Sequence, residues 1–197
     1  MTRRADAPIS VPAGAPGRPA AGITWVPVPD APEGRCTVAT PIGRFVLAGR
    51  AGVLTGVALA AHGRGPDLDP DGGPGGGSEA GPDEAARQLA AYFDGTRTSF
   101  DLEVAADGTA FQLAVWQALG TIPYGATATY GELAARVGRP GAQRAVGSAN
   151  RANPLSLVVP CHRVIAAGGA LSGYGWGPER KAWLLAHERG ETPPVLT

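Results

Sequence analysis

The spacing of apolar positions changes character twice along the chain. Residues 1–22 are mostly Ala, Pro, Gly and Arg without any period, which predicts a disordered start. From 23 to 61, short runs rich in β-branched and apolar residues occupy 23–28, 36–39, 45–48 and 53–59. The turn signals Pro41-Ile42-Gly43 and Arg50-Ala51-Gly52 separate them, the pattern of a small antiparallel sheet. A Gly, Pro and Asp tract at 62–83 has no apolar period and predicts a long surface loop. Beyond it the period becomes helical. Residues 84–93 put Ala85, Leu89 and Tyr92-Phe93 on one face and end at Asp94-Gly95. Thr109 with Gln112 forms a capping box that opens a helix with Phe111, Val115 and Leu119 at i, i+4 and i+8, stopped by Gly120. Thr129 with Glu132 forms a second box, for a short helix through Val137 that Gly138 ends. Pro140 suits the first position of a further helix running to about Asn150. A last helix is expected from Pro178 to Glu188, with Trp183, Leu184 and Leu185 inside.

These elements predict an α/β protein: a small N-terminal sheet domain at 23–105, then a mainly helical C-terminal domain at 106–197. Two short helices around Gly138 have the outline of a helix-turn-helix, an outline many helical proteins share without touching DNA. At 197 residues and 44% hydrophobic, the chain can bury a proper core. No apolar run approaches the ~18 residues of a membrane span, and Met1-Thr2-Arg3-Arg4 leads into no apolar signal region, so a cytoplasmic location is expected.

The formal net charge is zero, which taken whole argues against a nucleic-acid binder. The halves differ. Residues 1–110 hold 9 Arg against 13 Asp and Glu, a balance of −4, while residues 111–197 hold 8 Arg and Lys against 4 Glu, a balance of +4. Any phosphate would therefore be met by the C-terminal half. Lys181 is the only lysine, a compositional bias that makes arginine abundance uninformative by itself. Cys36 and Cys161 are not expected to pair in a reducing compartment. With those two cysteines, three histidines and no metal-type spacing, no metal site is expected either.

The chemistry gathers at the end of the apolar run 155–159, in Pro160-Cys161-His162-Arg163-Val164. A buried free cysteine is more often inert than reactive. Here an imidazole and a guanidinium follow it directly, and positive neighbours lower a thiol pKa from its free value of ~8.5. Glu188 lies in the last turn of its predicted helix, where the dipole disfavours an anion. It is either a solvated surface carboxylate or an inward one that polarises an imidazole such as His162.

The stretch from Tyr92 to Gly190 closely resembles the O6-alkylguanine-DNA alkyltransferases. The likeness runs through Tyr92-Phe93-Asp94-Gly95, Gly108-Thr109-Ala110-Phe111-Gln112, Val115-Trp116, Ile122-Pro123-Tyr124-Gly125 and Thr129-Tyr130-Gly131-Glu132-Leu133-Ala134. It continues in Arg144-Ala145-Val146-Gly147, Asn153-Pro154, Pro160-Cys161-His162-Arg163-Val164, Gly173-Tyr174 and Glu179-Arg180-Lys181. The resemblance implies a ribonuclease H-like N-terminal domain and an activity that moves an alkyl group from O6-alkylguanine, and O4-alkylthymine, in duplex DNA to Cys161, once and irreversibly. It implies His162 as a base acting through a water, Glu188 behind it, and Asn153 as a brace. Tyr130 would crowd the phosphate of the flipped nucleotide, and Arg144 would fill the gap left in the duplex. Ala145, Gly147 and Ala149 would let the helix approach the minor groove, with Arg151 at the DNA. Cys161, Val164 and Gly175 would read the base edge from their backbones, with Tyr130 and Tyr174 lining its pocket. A monomer needing no cofactor is implied.

Trp176 stands where many members have Gly, which would narrow the pocket rim. Three competing classes are weaker. A lesion-binding protein without chemistry would lack Cys161. A cysteine hydrolase takes its base from a distant part of the chain and needs an oxyanion hole. A plain transcription regulator leaves the Cys161, His162 and Glu188 constellation unexplained.

Overall fold

A computed structural model describes residues 22–60, 82–171 and 173–196. The expected disorder of 1–22 and the expected loop at 62–83 fall almost wholly outside these residues. The element order is β1 (Ile23–Trp25), β2 (Glu33–Thr40), β3 (Gly43–Arg50), β4 (Val53–Leu59), α1 (Asp83–Phe93), β5 (Leu102–Val104), α2 (Ala110–Leu119), β6 (Ala128–Thr129), α3 (Tyr130–Arg136), α4 (Gln143–Arg151), β7 (Val164–Ile165) and α5 (Pro178–Glu188). A 3-10 turn, Cys161–Arg163, precedes β7.

Strands β1 to β5 form one sheet in the order β1-β5-β4-β3-β2. The hairpins β2-β3 and β3-β4 are antiparallel, as the turn signals predict. The second closes through Ala51 and Gly52 at φ 48° and 81°, the pair of left-handed residues that matches strand twist in a two-residue hairpin. A purely antiparallel sheet is nevertheless wrong. β5 was hidden in the short alternation Leu102-Glu103-Val104, and it pairs parallel with both β1 and β4. The long excursion through α1 makes that possible, because only a crossover can bring the chain back parallel. β1 also stops at Trp25, short of the expected Val28, because Pro27 has no N–H to give a ladder.

Inner strand β3 is buried from Phe45 to Gly49, while edge strand β2 has no buried residue and alternates between partial burial and exposure from Cys36 on. α1 buries Ala85, Leu89 and Tyr92. Gln88, buried on the same face, exchanges hydrogen bonds with the backbone of Asp101 (2.8 Å each way) and so ties the helix to β5.

Both expected capping boxes form, at Thr109–Gln112 and Thr129–Glu132. The expected start of α4 at Pro140 does not. Gly141 lies at φ 91°, outside helical space, so α4 begins at Gln143 without a side-chain cap. α2, α3 and α4 pack together, and Trp116 Nε1 donates to the Ala149 carbonyl at 2.9 Å. Gly108 is needed there, because a Cβ would stand 2.8 Å from the Trp116 ring.

One continuous apolar cluster joins the sheet to the helices. Polar ties cross the same boundary: Val57 N–H to Pro154 O at 2.7 Å, Arg180 Nε to Ile42 O at 2.9 Å, and Tyr92 Oη to Glu188 Oε1 at 2.8 Å. No helix among the described residues is long and apolar enough to cross a membrane.

Candidate active site

The apolar segment 155–159 is buried and bent back on itself, with Leu157 at φ 73°. A branched side chain in this region costs about 1–2 kcal/mol, so the surroundings must impose it. Asn153 does so from both amide ends: Oδ1 accepts from Leu155 N–H at 3.0 Å and Nδ2 donates to Val159 O at 2.8 Å. The loop therefore delivers Cys161 at a fixed place, in the first position of the 3-10 turn.

Cys161 is 4% exposed. Its Sγ lies 3.6 Å from Ser156 Oγ, and its carbonyl accepts from Asn150 Nδ2 at 3.3 Å. Burial pushes the thiol pKa up, against the opposing pull of hydrogen bonds from Asn153 and Ser156 and the charge of Lys181. Arg163, expected to activate the thiol, points away from it. Its Nε and Nη2 each reach a Glu188 oxygen at 2.9 Å, and its Nη1 donates to Ile122 O at 2.6 Å.

Glu188 faces inward. Besides Arg163 it accepts from Tyr92 Oη and Gly125 N–H (3.0 Å), and Oε1 lies 2.8 Å from His162 Nε2. Burial alone would raise its pKa, but the His162 contact and the Arg163 guanidinium hold the carboxyl well below the usual range. His162 is fully buried, and burial lowers its pKa although Glu188 opposes the shift. A carboxylate facing Nε2 places a ring proton there. Nδ1 is left as the basic nitrogen, with no protein partner among the described residues.

Cys161 opens onto a cavity of about 390 Å³, lined also by Asn150, Asn153, Ser156, Tyr174, Gly175 and Trp176. Pockets for small organic groups start at about 300 Å³. Tyr174 is buried, with its hydroxyl unpartnered among the described residues. Trp176 is buried on the cavity wall, with its ring edge-on to Phe45 at 5.0 Å. Val164 is not in the lining. Its N–H is bonded to Cys161 O and its carbonyl accepts from Lys181 Nζ at 2.5 Å.

A second, more open concavity of about 640 Å³ adjoins α4 and brings together Tyr130, Arg144, Gly147 and Arg151. Arg151 borders both hollows. Ala145 is exposed beside them, whereas Ala149 is buried against α2 and cannot face a partner. Tyr130 is half-buried, and Gly173 approaches it so closely that a Cβ would stand 2.9 Å from its hydroxyl.

Four contributors escaped the sequence reading: Tyr92, Asn150, Ser156 and Lys181. Ser156 left a signal, as the one hydroxyl within the apolar run 155–159. Lys181 left another, as the single lysine of a chain that otherwise uses arginine. Tyr92 stands in a family motif and on the inner face of its helix, but neither tells of its bond to Glu188; Asn150, read only as the end of a helix, left no signal.

Fold and site together define an α/β protein with a buried thiol on the wall of a cavity, a buried His162–Glu188–Arg163 cluster next to it in the chain, and a neighbouring helix that carries exposed arginines. Comparisons with known proteins agree. The family described as 6-O-methylguanine DNA methyltransferase, DNA binding domain, matches residues 110–190. The methylated-DNA–protein-cysteine methyltransferase of Mycolicibacterium paratuberculosis is 49% identical over 166 residues, 82% of this chain and 95% of the relative. That of Mycobacterium leprae is 49% identical over 162 residues, 80% and 93% of the two chains. The crystal structure of Mycobacterium tuberculosis OGT in complex with DNA matches with a TM-score of 0.70 at 48% identity, covering 80% of this chain and 93% of that one. The chain belongs to the methylated-DNA–protein-cysteine methyltransferase family.

Proposed function

We propose that this protein repairs O6-alkylguanine in DNA, and O4-alkylthymine by the same chemistry, through one irreversible transfer of the alkyl group to Cys161. The observation that carries the reading is the thiol at the wall of a nucleobase-sized cavity with the His162–Glu188 pair beside it. In the reaction the thiol proton passes through a water to His162 Nδ1. Sulfur then attacks the alkyl carbon in line, the carbon–oxygen bond breaks, and guanine leaves with the electron pair and takes up a proton. Glu188 stabilises the imidazolium while it exists, and Asn153 holds the loop that aims the sulfur. The step balances without metal or cofactor, and a thioether is no leaving group, so each molecule acts once.

An O6-alkyl group sits in the major groove of a stacked base, so a protein docked in the minor groove reaches it only by extruding the nucleotide. We assign α3 and α4 to a helix-turn-helix that docks there, with Ala145 and Gly147 allowing close approach. Arg144 occupies the vacated space, Tyr130 presses on the backbone, and Arg151 meets phosphate between the two hollows. Tyr174 and the backbones of Cys161 and Gly175 receive the base; Val164 would contribute only through the second lone pair of its carbonyl. On this reading residues 106–197 carry the chemistry and 23–105, as a ribonuclease H-like domain, buttress it through Tyr92. The protein works as a monomer in the cytoplasm.

Intact mass before and after incubation with O6-methylguanine DNA tests the proposal. One methyl per protein is expected, on the peptide carrying Cys161, and Cys161→Ser should lose transfer while keeping lesion binding, since an alkoxide is far harder to form than a thiolate. Repeated turnover, or the methyl on Cys36, overturns it.

A further inference from the structure

Lys181, in the first turns of α5, is fully buried. Its ammonium donates to the Val164 carbonyl, three residues beyond Cys161, and no carboxylate pairs with it among the described residues. A buried ammonium without a counter-ion is costly even after relaxation. The neighbouring charges do not relieve it. Glu188 is already paired with Arg163, so its charge is not available to the ammonium. Tyr130 and Tyr174, which also face the thiol, have pKa values raised above the ordinary phenol range by burial, and stay neutral. Lys181 sits at the end of the turn that runs from Cys161 to Val164, whose N–H closes on the Cys161 carbonyl, and Cys161 is the one residue of that turn able to supply a negative charge.

We propose that Lys181 is the counter-ion of the Cys161 thiolate, and therefore a positioning residue that makes the nucleophile available inside an apolar wall. This rests on Cys161 being the acceptor. Ionisation of the thiol converts an uncompensated ammonium into a balanced pair, with Ser156 Oγ close enough to donate to the sulfur. Composition agrees: a chain that uses arginine everywhere else keeps a compact ammonium at this one position, where a planar guanidinium is a poor substitute. Alkylation then has a second consequence. When the sulfur becomes a neutral thioether, Lys181 is left without its partner, and its pKa, which burial already lowers to about 8, has nothing to raise it.

The single lysine makes the test clean. In Cys36→Ser protein labelled with 13C-lysine, one side-chain signal reports Lys181, and its titration is followed before and after carboxamidomethylation of Cys161 with iodoacetamide. The unmodified protein should hold the lysine proton to higher pH than the modified one; identical titrations would overturn the proposal. Independently, Lys181→Met should raise the apparent pKa seen in the pH profile of iodoacetamide reaction. One unit lowers the neutral-pH rate about tenfold, with the rate recovered at high pH and partly restored by Lys181→Arg. A folded Lys181→Met protein with an unchanged profile would also refute it; should that variant not fold, the lysine titration decides. Neither readout uses DNA, so failure here is distinct from failure of methyl transfer.

Discussion

Replacing Glu188 by Gln changes one atom and should be among the most damaging substitutions available. The carboxylate accepts from Tyr92 Oη, Gly125 N–H, Arg163 Nε and Nη2, and faces the protonated Nε2 of His162. Every partner is a donor. An amide of the same shape must turn its NH2 group toward donors on one side or the other, and it leaves the buried Arg163 guanidinium without a counter-charge. Removing one member of a buried ion pair costs about 3–5 kcal/mol. For a domain of this size that is on the order of 10 °C in melting temperature. Thermal and urea unfolding of Glu188→Gln beside wild type measure it. The pH dependence supplies a second check. The Glu188 pKa is depressed in the folded protein, so its contribution is complete above the unfolded carboxylate value of ~4.3 and is lost as pH falls toward the folded one. The gap between variant and wild type should be flat from pH 7 to about 5 and close progressively below about 4. A melting temperature within about 2 °C of wild type at pH 7, or a gap that persists unchanged at pH 3, would refute the assignment of Glu188 as the charge that organises the site.

Two further outcomes are expected. Arg144→Ala should leave stability unchanged, because the side chain is exposed, yet slow repair of duplex DNA far more than reaction with free O6-benzylguanine; equal losses on both substrates would remove its role in the duplex. Asn153→Ala deletes both hydrogen bonds that hold the 155–159 bend and should cost about 2–3 kcal/mol in urea unfolding, with slower alkylation of Cys161, whereas wild-type values in both assays would mean the loop holds itself.

Much of this protein is local and therefore legible in its sequence. Both capping boxes, the hairpin turn at Ala51-Gly52, the helical faces of α1 and α5 and the thiol at the end of a buried run follow from neighbouring residues, whose side chains satisfy or shape the backbone beside them. Long-range pairing does not. The parallel insertion of β5 between β1 and β4 depends on where α1 returns the chain, and three residues of alternation carry too little signal to announce it. Charge pairing is decided at the same level. Adjacency in Cys161-His162-Arg163 suggested that the guanidinium serves the thiol, but successive residues of a 3-10 turn point in different directions, and Arg163 serves Glu188 instead. The cation we assign to the thiol, Lys181, arrives from a helix twenty residues further along the chain and bonds the Val164 carbonyl at the end of the Cys161 turn. Sequence thus determined which groups could react; only the tertiary structure decided which charge each of them feels, because a buried charge is set by whatever packs within a few ångströms and not by what precedes it in the chain.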